Sequence, residues 1–292
     1  MPFDVTKTIE ELKDFIRTFI ERNNYKGAIV GVSGGIDSAV VLTLCSKALG
    51  SDKVLGLILP ERDSSRESVR LAKMLCRQLN VEYKIISMSS ILRKIGVYRL
   101  FPPSFIFPRR VQENYVKGKW VSLSKDPYID DLLDVGNEVF RKGLAYYRIK
   151  HRMRMCLLYF EAEKRGYAVV GCVNKTELKT GLYVKWGDSA ADIEPIAHLY
   201  KTQVIEMAKQ MNILNEIIER PPTPDLIPGL TDEFILGLNY RDLDRILMKM
   251  ENNLDLSDED PKLLKRVREI YFAAQRRSMC NVRISERTEE CP

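Results

Sequence analysis

The chain has 292 residues, 45% hydrophobic and 29% charged, with 46 basic and 40 acidic side chains for a net charge of +6. That length suits one large or two small domains. No apolar run approaches the ~20 residues of a membrane span, and the start Met-Pro-Phe-Asp-Val lacks the basic and apolar regions of a signal peptide, so we expect a cytoplasmic globular protein with no membrane partner.

In chain order, Ile9, Leu12, Ile16 and Phe19-Ile20 recur at helical spacing and predict an amphipathic helix over 6–22. Ala28-Ile29-Val30 is a strand. A glycine turn follows, then a helix from near Asp37 to about Leu49. Residues 54–59 form a continuous apolar run, as expected of a buried parallel strand. Ser64-Ser65-Arg66-Glu67 is read as a capping box opening a helix to about Leu79, and residues 81–86 as a third strand. Residues 96–137 break the rhythm with Phe101-Pro102-Pro103 and Phe107-Pro108, and 115–121 read as a hairpin, so this stretch is expected to be an inserted subdomain or lid within a single 1–292 domain. A helix over 138–165, a strand over 168–171, a helix over 200–211, a proline-rich loop over 220–230 and helices near 240–250 and 258–278 complete the pattern, with the last ten residues fraying. Strands alternating with helices predict an α/β fold: a doubly wound parallel sheet with helices on both faces. In such folds ligands bind beyond the carboxyl ends of the strands.

The octet Gly31-Val32-Ser33-Gly34-Gly35-Ile36-Asp37-Ser38 lies at such an end. Two adjacent glycines let backbone N–H groups point into one concavity, and the helix that follows adds its positive end, which suits a pyrophosphate. A carboxylate there repels phosphates unless a cation lies between, so Asp37 is read as a Mg²⁺ ligand. Taken alone, a Gly-Gly turn capped by Asp and Ser also accounts for the octet. Glu177, just past the strand at 168–171, is placed to share the metal. Lys201 opens a helix, where a cation works against the dipole, which suggests the ammonium serves a phosphate. The six cysteines (45, 76, 156, 172, 280 and 291) form no Cys-x-x-Cys pair, and the two histidines lack zinc spacing. Cys45, Cys76 and Cys156 are expected to be plain core residues. The Arg and Lys clusters at 148–154 and 264–277 are read as solvated helix faces and a site for anionic nucleotides, not as a nucleic-acid surface.

Ser-Gly-Gly-x-Asp-Ser resembles the signature of the N-type ATP pyrophosphatases, which cleave ATP between the α and β phosphates. Further on, Gly171-Cys172-Val173-Asn174 with Glu177, Lys185-Trp186-Gly187-Asp188-Ser189-Ala190-Ala191-Asp192 and Leu199-Tyr200-Lys201-Thr202-Gln203 follow one another in an order similar to that of the NAD synthetase family, and Arg152-Met153-Arg154-Met155, ahead of them, resembles its Arg-x-Arg-Met helix. Pro221-Pro222-Thr223-Pro224-Asp225-Leu226, then Thr231-Asp232-Glu233 and Leu236-Gly237, extend the resemblance to nearly everything except 96–137.

The resemblance implies a Rossmann-like fold and a ligase that adenylates the nicotinate carboxylate of deamido-NAD, releases pyrophosphate, and lets ammonia displace AMP to give NAD. It implies ATP over Gly31, Ser33, Gly34, Gly35, Asp37, Ser38, Leu59, Cys172, Lys201 and Thr223, with Asp37 and Glu177 on Mg²⁺. It implies Arg148, Arg152, Lys185, Asp188 and Asp192 around the dinucleotide, Arg152 often serving the other subunit of a homodimer. With no room for a glutaminase domain, nitrogen comes from free ammonia or from a separate glutaminase partner.

The chain departs from the family pattern at Cys172, where Thr is usual, at Ser189-Ala190 in place of Gly-Gly, at Arg148 in place of Asn, at Gln275-Arg276-Arg277 in place of His-Lys-Arg, and in the 96–137 segment. Three alternatives stay open on sequence: an amidotransferase with another carboxylate substrate, sulfur transfer through Cys172, and a catalytically dead nucleotide-binding scaffold.

Overall fold

A computed structural model of the protein describes residues 3–100, 118, 124–223 and 230–278. Four strands, β1 (Gly27–Gly31), β2 (Val54–Ile58), β3 (Glu82–Ile85) and β4 (Tyr167–Val170), form one parallel sheet in the order β3-β2-β1-β4. In register, Val30 lies opposite Gly56 on one side and Val170 on the other. β2 is buried throughout and β1 nearly so, which explains their unbroken apolar runs; β3, at the edge, is half exposed and reads as a mixed sequence.

The helices are α1 (Val5–Arg22), α2 (Ile36–Leu49), α3 (Arg66–Gln78), α4 (Ser89–Lys94), α5 (Pro127–Leu133) and α6 (Glu138–Glu163). They continue with α7 (Lys175–Thr180), α8 (Lys201–Gln210), α9 (Asn215–Ile218), α10 (Asp232–Leu236), α11 (Tyr240–Glu251) and α12 (Pro261–Ser278). One face of the sheet packs Ala28 and Val30 against Ile16 of α1, Val40 and Leu44 of α2, Leu75 of α3 and Val204 of α8. Of the five α1 side chains predicted to face inward, Ile9, Leu12, Ile16 and Ile20 are buried and Phe19 is half-buried against the same core. Each of the buried ones contributes roughly 1.5–3 kcal/mol by leaving water. The other face packs Ile29, Leu57 and Val169 against Met155 and Leu158 of α6 and Leu92 of α4. The expected doubly wound α/β sheet is therefore the observed one. A separate core holds α5, α10, α11 and α12 together around Leu132, Leu236, Leu243, Ile246 and Ile270.

Two local expectations are corrected. The helix after β2 is capped by Ser65, whose hydroxyl accepts from the amides of Glu67 and Ser68, so the cap lies one residue later than the Ser64–Glu67 box; Ser64 instead accepts from the Glu61 amide. Cys156 is exposed, whereas Cys45 and Cys76 are buried as expected. On α6 the buried stripe passes through Met155 and Leu158, and Cys156 falls off it. The short helices α4, α5, α7, α9 and α10 were not read from periodicity, because fewer than two turns leave too little of it.

Both ends of the 96–137 segment pack into the body: Val97 joins the core on the α6 side, and Tyr128 and Leu132 of α5 are buried in the helical core. The hairpin expected over 115–121 lies outside the described residues apart from Gly118, as do 224–229 and the chain's end.

Candidate active site

The sheet order makes β1 and β4 neighbours, although α2 leaves β1 on one face and α6 reaches β4 on the other. The crevice beyond their carboxyl ends is the switch point of the fold. The glycine turn fills its β1 side. Gly34 has φ +79°, and a Cβ there would lie 2.3 Å from the carbonyl oxygen of Ser68, so only glycine lets α3 close against the turn. Two hydroxyls lock the loop: Ser33 Oγ accepts from the Gly35 amide at 3.1 Å, and Ser38 Oγ donates to the Gly35 carbonyl at 3.0 Å and lies 3.0 Å from Ser33 Oγ. Gly35 is the N-cap of α2 and has no side chain to cap it, which leaves the helix's first amides directed at the crevice.

On the β4 side, Asn174 is wholly buried and ties the two predicted metal ligands together. Its Nδ2 donates to Asp37 Oδ1 at 2.9 Å. Its Oδ1 accepts from the Glu177 amide at 3.0 Å, while Glu177 Oε2 accepts from the Asn174 amide at 3.1 Å, a reciprocal cap on α7. Lys201 is buried at the first position of α8, where Asp244 pins the backbone by accepting from Thr176 Oγ1 at 2.6 Å and from the Thr202 amide at 2.8 Å. The Lys201 ammonium pairs with Asp37 and lies 4.0 Å from Glu177 Oε1. Burial disfavours its charge, but Asp37, Glu177 and Asp232 outweigh burial and hold its pKa above the usual lysine value. Burial and then the Asp37 charge push the Glu177 carboxyl well above its ordinary range. The cluster thus sets three carboxyl groups, Asp37, Glu177 and Asp232, around one ammonium.

A cavity of about 320 Å³ runs from the turn along the strand ends. Gly31, Ser33, Gly35, Asp37, Ser38, Leu59, Cys172, Glu177, Lys201 and Thr223 all line it, together with Asp188 of the expected dinucleotide residues. Gly34, Arg148, Arg152, Lys185 and Asp192 do not line it. Asp192 supports β4, accepting from the Val169 amide at 2.7 Å and from the Tyr159 hydroxyl at 3.2 Å. Arg152 donates to the Lys185 carbonyl at 3.2 Å, and the Lys185 ammonium sits over the Trp186 ring. Arg148 braces α6 to α5 through Asp131 and Asp134, so its charge is engaged one step behind the cavity wall formed by Asp131, Tyr147 and Arg277.

Of the further residues that line the cavity, Arg154, Asp232 and Arg277 lay in quoted motifs that gave them no role, and His151 lay in none. His151 lines the cavity and places Nδ1 3.3 Å from Asp188 Oδ2; Arg154, Asp232 and Arg277 also line it. Asp232 lay within the Thr231-Asp232-Glu233 motif, whereas Asp244 carries no local signal, since its partners Thr176 and Thr202 come from other elements.

Beneath Leu59 lies a buried ionic cluster. Lys150 of α6 is 0% exposed and donates to Glu61 Oε1 at 3.1 Å and Asp63 Oδ2 at 2.8 Å. The Tyr146 hydroxyl donates to Asp63 and accepts from Arg62 at 2.6 Å. Burial alone would raise the Asp63 carboxyl; Lys150, Tyr146 and Arg62 outweigh it and bring the pKa down to about 2. This cluster fixes the segment that carries the cavity wall at Leu59 and Ser64.

Cys172 sits among acidic groups. Burial first, then Asp37 and Glu177, push its thiol well above the ordinary value, which keeps it protonated and a poor nucleophile at neutral pH. Cys172→Ala is expected to keep AMP formation within a few-fold of the parent, measured as steady-state turnover; loss of turnover in folded protein would instead support sulfur chemistry.

The family profile described as NAD synthase matches residues 8–100 and 127–276. The chain belongs to this family. Its relatives include the NH3-dependent NAD+ synthetases of Thermotoga neapolitana, 64% identical over 266 residues (91% of this chain, 92% of the relative), and Thermotoga maritima, 64% identical over 267 residues (91% and 95%). Among solved structures, the NH3-dependent NAD synthetase of Campylobacter jejuni matches with TM-score 0.68 and 28% identity over 96% of this chain and 99% of that one. The NMN synthetase of Francisella tularensis matches with TM-score 0.72 at 24% identity, covering 97% and 99%, a likeness of fold. The family match leaves out 101–126, a stretch narrower than the 96–137 segment marked by the sequence pattern, and it resumes where α5 begins.

Proposed function

We propose that this chain is an ATP-dependent C–N ligase that converts deamido-NAD and ammonia to NAD, AMP and pyrophosphate. The observation that carries the reading is the convergence of Asp37, Glu177 and Lys201 on a glycine turn at the switch point, in a chain with 64% identity to NH3-dependent NAD+ synthetases.

The residues fit Mg²⁺. Among the described residues no group of three or more His, Cys, Asp and Glu forms a ready cage. Mg²⁺ does not need one: it is commonly held by one or two carboxylates plus water and phosphate oxygens. Asp37 and Glu177 are such a pair, oriented by one asparagine. Bound there, the ion would neutralise charge on the phosphates.

The chain's own groups do the positioning. The turn amides and the start of α2 hold the polyphosphate, and Lys201 stands beside the carboxylates to balance charge. A nicotinate oxygen attacks the α phosphorus, the bond from that phosphorus to the bridging oxygen breaks, and the electron pair leaves with pyrophosphate. Ammonia then attacks the acyl carbon, AMP departs with the C–O electron pair, and the nitrogen loses a proton. Asp188, held by His151 and by the Val184 amide at 2.7 Å, faces the acceptor end. Arg152 and Lys185 lie outside this protomer's cavity, which supports a homodimer in which Arg152 serves the neighbouring site. No described helix is long and apolar enough to cross a membrane; a cytoplasmic location belongs to the same proposal, as does nitrogen drawn from free ammonia or a separate glutaminase.

The test is an ATP-to-AMP assay with Mg²⁺ and ammonium, with and without deamido-NAD, the product identified by mass. NAD formed in step with AMP is expected. Protein that binds ATP yet makes no AMP with deamido-NAD would transfer the assignment to another carboxylate.

A further inference from the structure

The two sides of the glycine turn differ in charge. On the β4 side one ammonium, Lys201, faces Asp37 and Glu177, with Asp232 close enough to act on it. The turn's own hydroxyls are engaged in locking its backbone. A polyphosphate lying over the turn would bring more negative charge than Lys201 and a divalent ion on Asp37 and Glu177 would balance, and a side-chain cation on the opposite side would share that load.

The α3 side supplies one. Arg220 lines the cavity with Ser68, Thr223 and the turn residues Ser33 and Gly35. Its Nη2 donates to the Ser68 hydroxyl at 2.8 Å. Ser68 is itself fixed: it is buried in the first turn of α3, its amide donates to Ser65 Oγ at 3.4 Å, and its carbonyl oxygen presses on Gly34. The guanidinium is thereby anchored to the residue that touches the outer side of the turn, where with Arg70 it also acts on the Glu67 carboxylate, two cations to that one acid.

We propose that Arg220, steadied by Ser68, binds the β and γ phosphates of the nucleotide and the pyrophosphate that leaves. This rests on the reading above that the turn holds a polyphosphate cleaved between α and β. When the bond between the α phosphorus and the bridging oxygen breaks, that oxygen takes the electron pair and negative charge grows on the departing group. A guanidinium fork meets that charge with two donors where an ammonium offers a point charge. Ser68 is a positioning residue; Arg220 is the ligand.

The test uses magnesium pyrophosphate and AMP as separate probes of the whole protein by calorimetry. AMP carries only the α phosphate. Arg220→Gln should weaken pyrophosphate binding about ten- to a hundredfold, the range for one charge-assisted hydrogen bond, and leave AMP unchanged. It should raise KM for ATP with KM for deamido-NAD unaltered. Pyrophosphate bound equally by parent and variant would overturn the proposal. Because the variant could fold poorly, the question is also put to the unaltered protein: pyrophosphate, and not AMP, should shield Arg220 from phenylglyoxal, read by peptide mass. Equal labelling with and without pyrophosphate would overturn it. An enzyme that forms AMP with a different acid would refute the deamido-NAD reading and leave this one standing.

Discussion

Asparagine in place of Asp37 is expected to lower the rate of AMP formation by roughly a hundred- to a thousandfold, the scale of losing one group that stabilises charge in the transition state. The amide keeps the shape, and its oxygen can still accept from Asn174 Nδ2, the bond seen at 2.9 Å. It removes the charge that Lys201 faces and that a divalent cation would use. The variant should therefore fold, and it should need more Mg²⁺ to reach its reduced rate. Turnover measured across a Mg²⁺ titration, with thermal melting as the control, checks both parts. Parent-like turnover and Mg²⁺ dependence would remove Asp37 from the centre of the reaction.

Lys150→Met should be the most damaging substitution away from the crevice. The ammonium is fully buried between Glu61 and Asp63, and its loss leaves Asp63 to Arg62 and Tyr146 and takes from buried Glu61 the cation it shares. Breaking such a pair costs about 3–5 kcal/mol. The melting midpoint should fall by roughly 5–15 °C. The triple change K150M with E61Q and D63N should recover much of that, because amides need no counter-charge; no recovery would mean that packing, not charge, holds the cluster. The pH dependence follows from Asp63, whose carboxyl is depressed to about 2 in the folded protein. A depressed acid stabilises fully above its unfolded value of about 3.9 and stops doing so as pH falls through the folded value. The stability gap between parent and K150M should therefore narrow on acidification from neutral pH toward about 2. A gap that stayed constant would contradict this assignment.

The sequence by itself determined the elements whose signal is local. Continuous apolar runs marked β1 and β2, because strands buried on both faces leave no place for polar residues. Period-3.6 spacing marked α1. The glycine turn was legible because Gly34 must adopt φ +79° against Ser68. Asp37 stood out as an acid in a phosphate nest, and Glu177 and Lys201 as charges at element ends. Tertiary structure alone decided which of these meet. Asp37 and Asn174 are 137 positions apart and bond only because β1 and β4 are neighbours in the sheet. Arg148 looked like a pocket residue, but α5 brings Asp131 and Asp134 to it and engages its charge. Asp244 and Arg220 carry no motif; each acquires its role from a partner on another element, Thr176 and Ser68. Spacing along the chain reports what one helix or strand requires of its own residues, whereas charge pairing across the crevice depends on how separate elements pack.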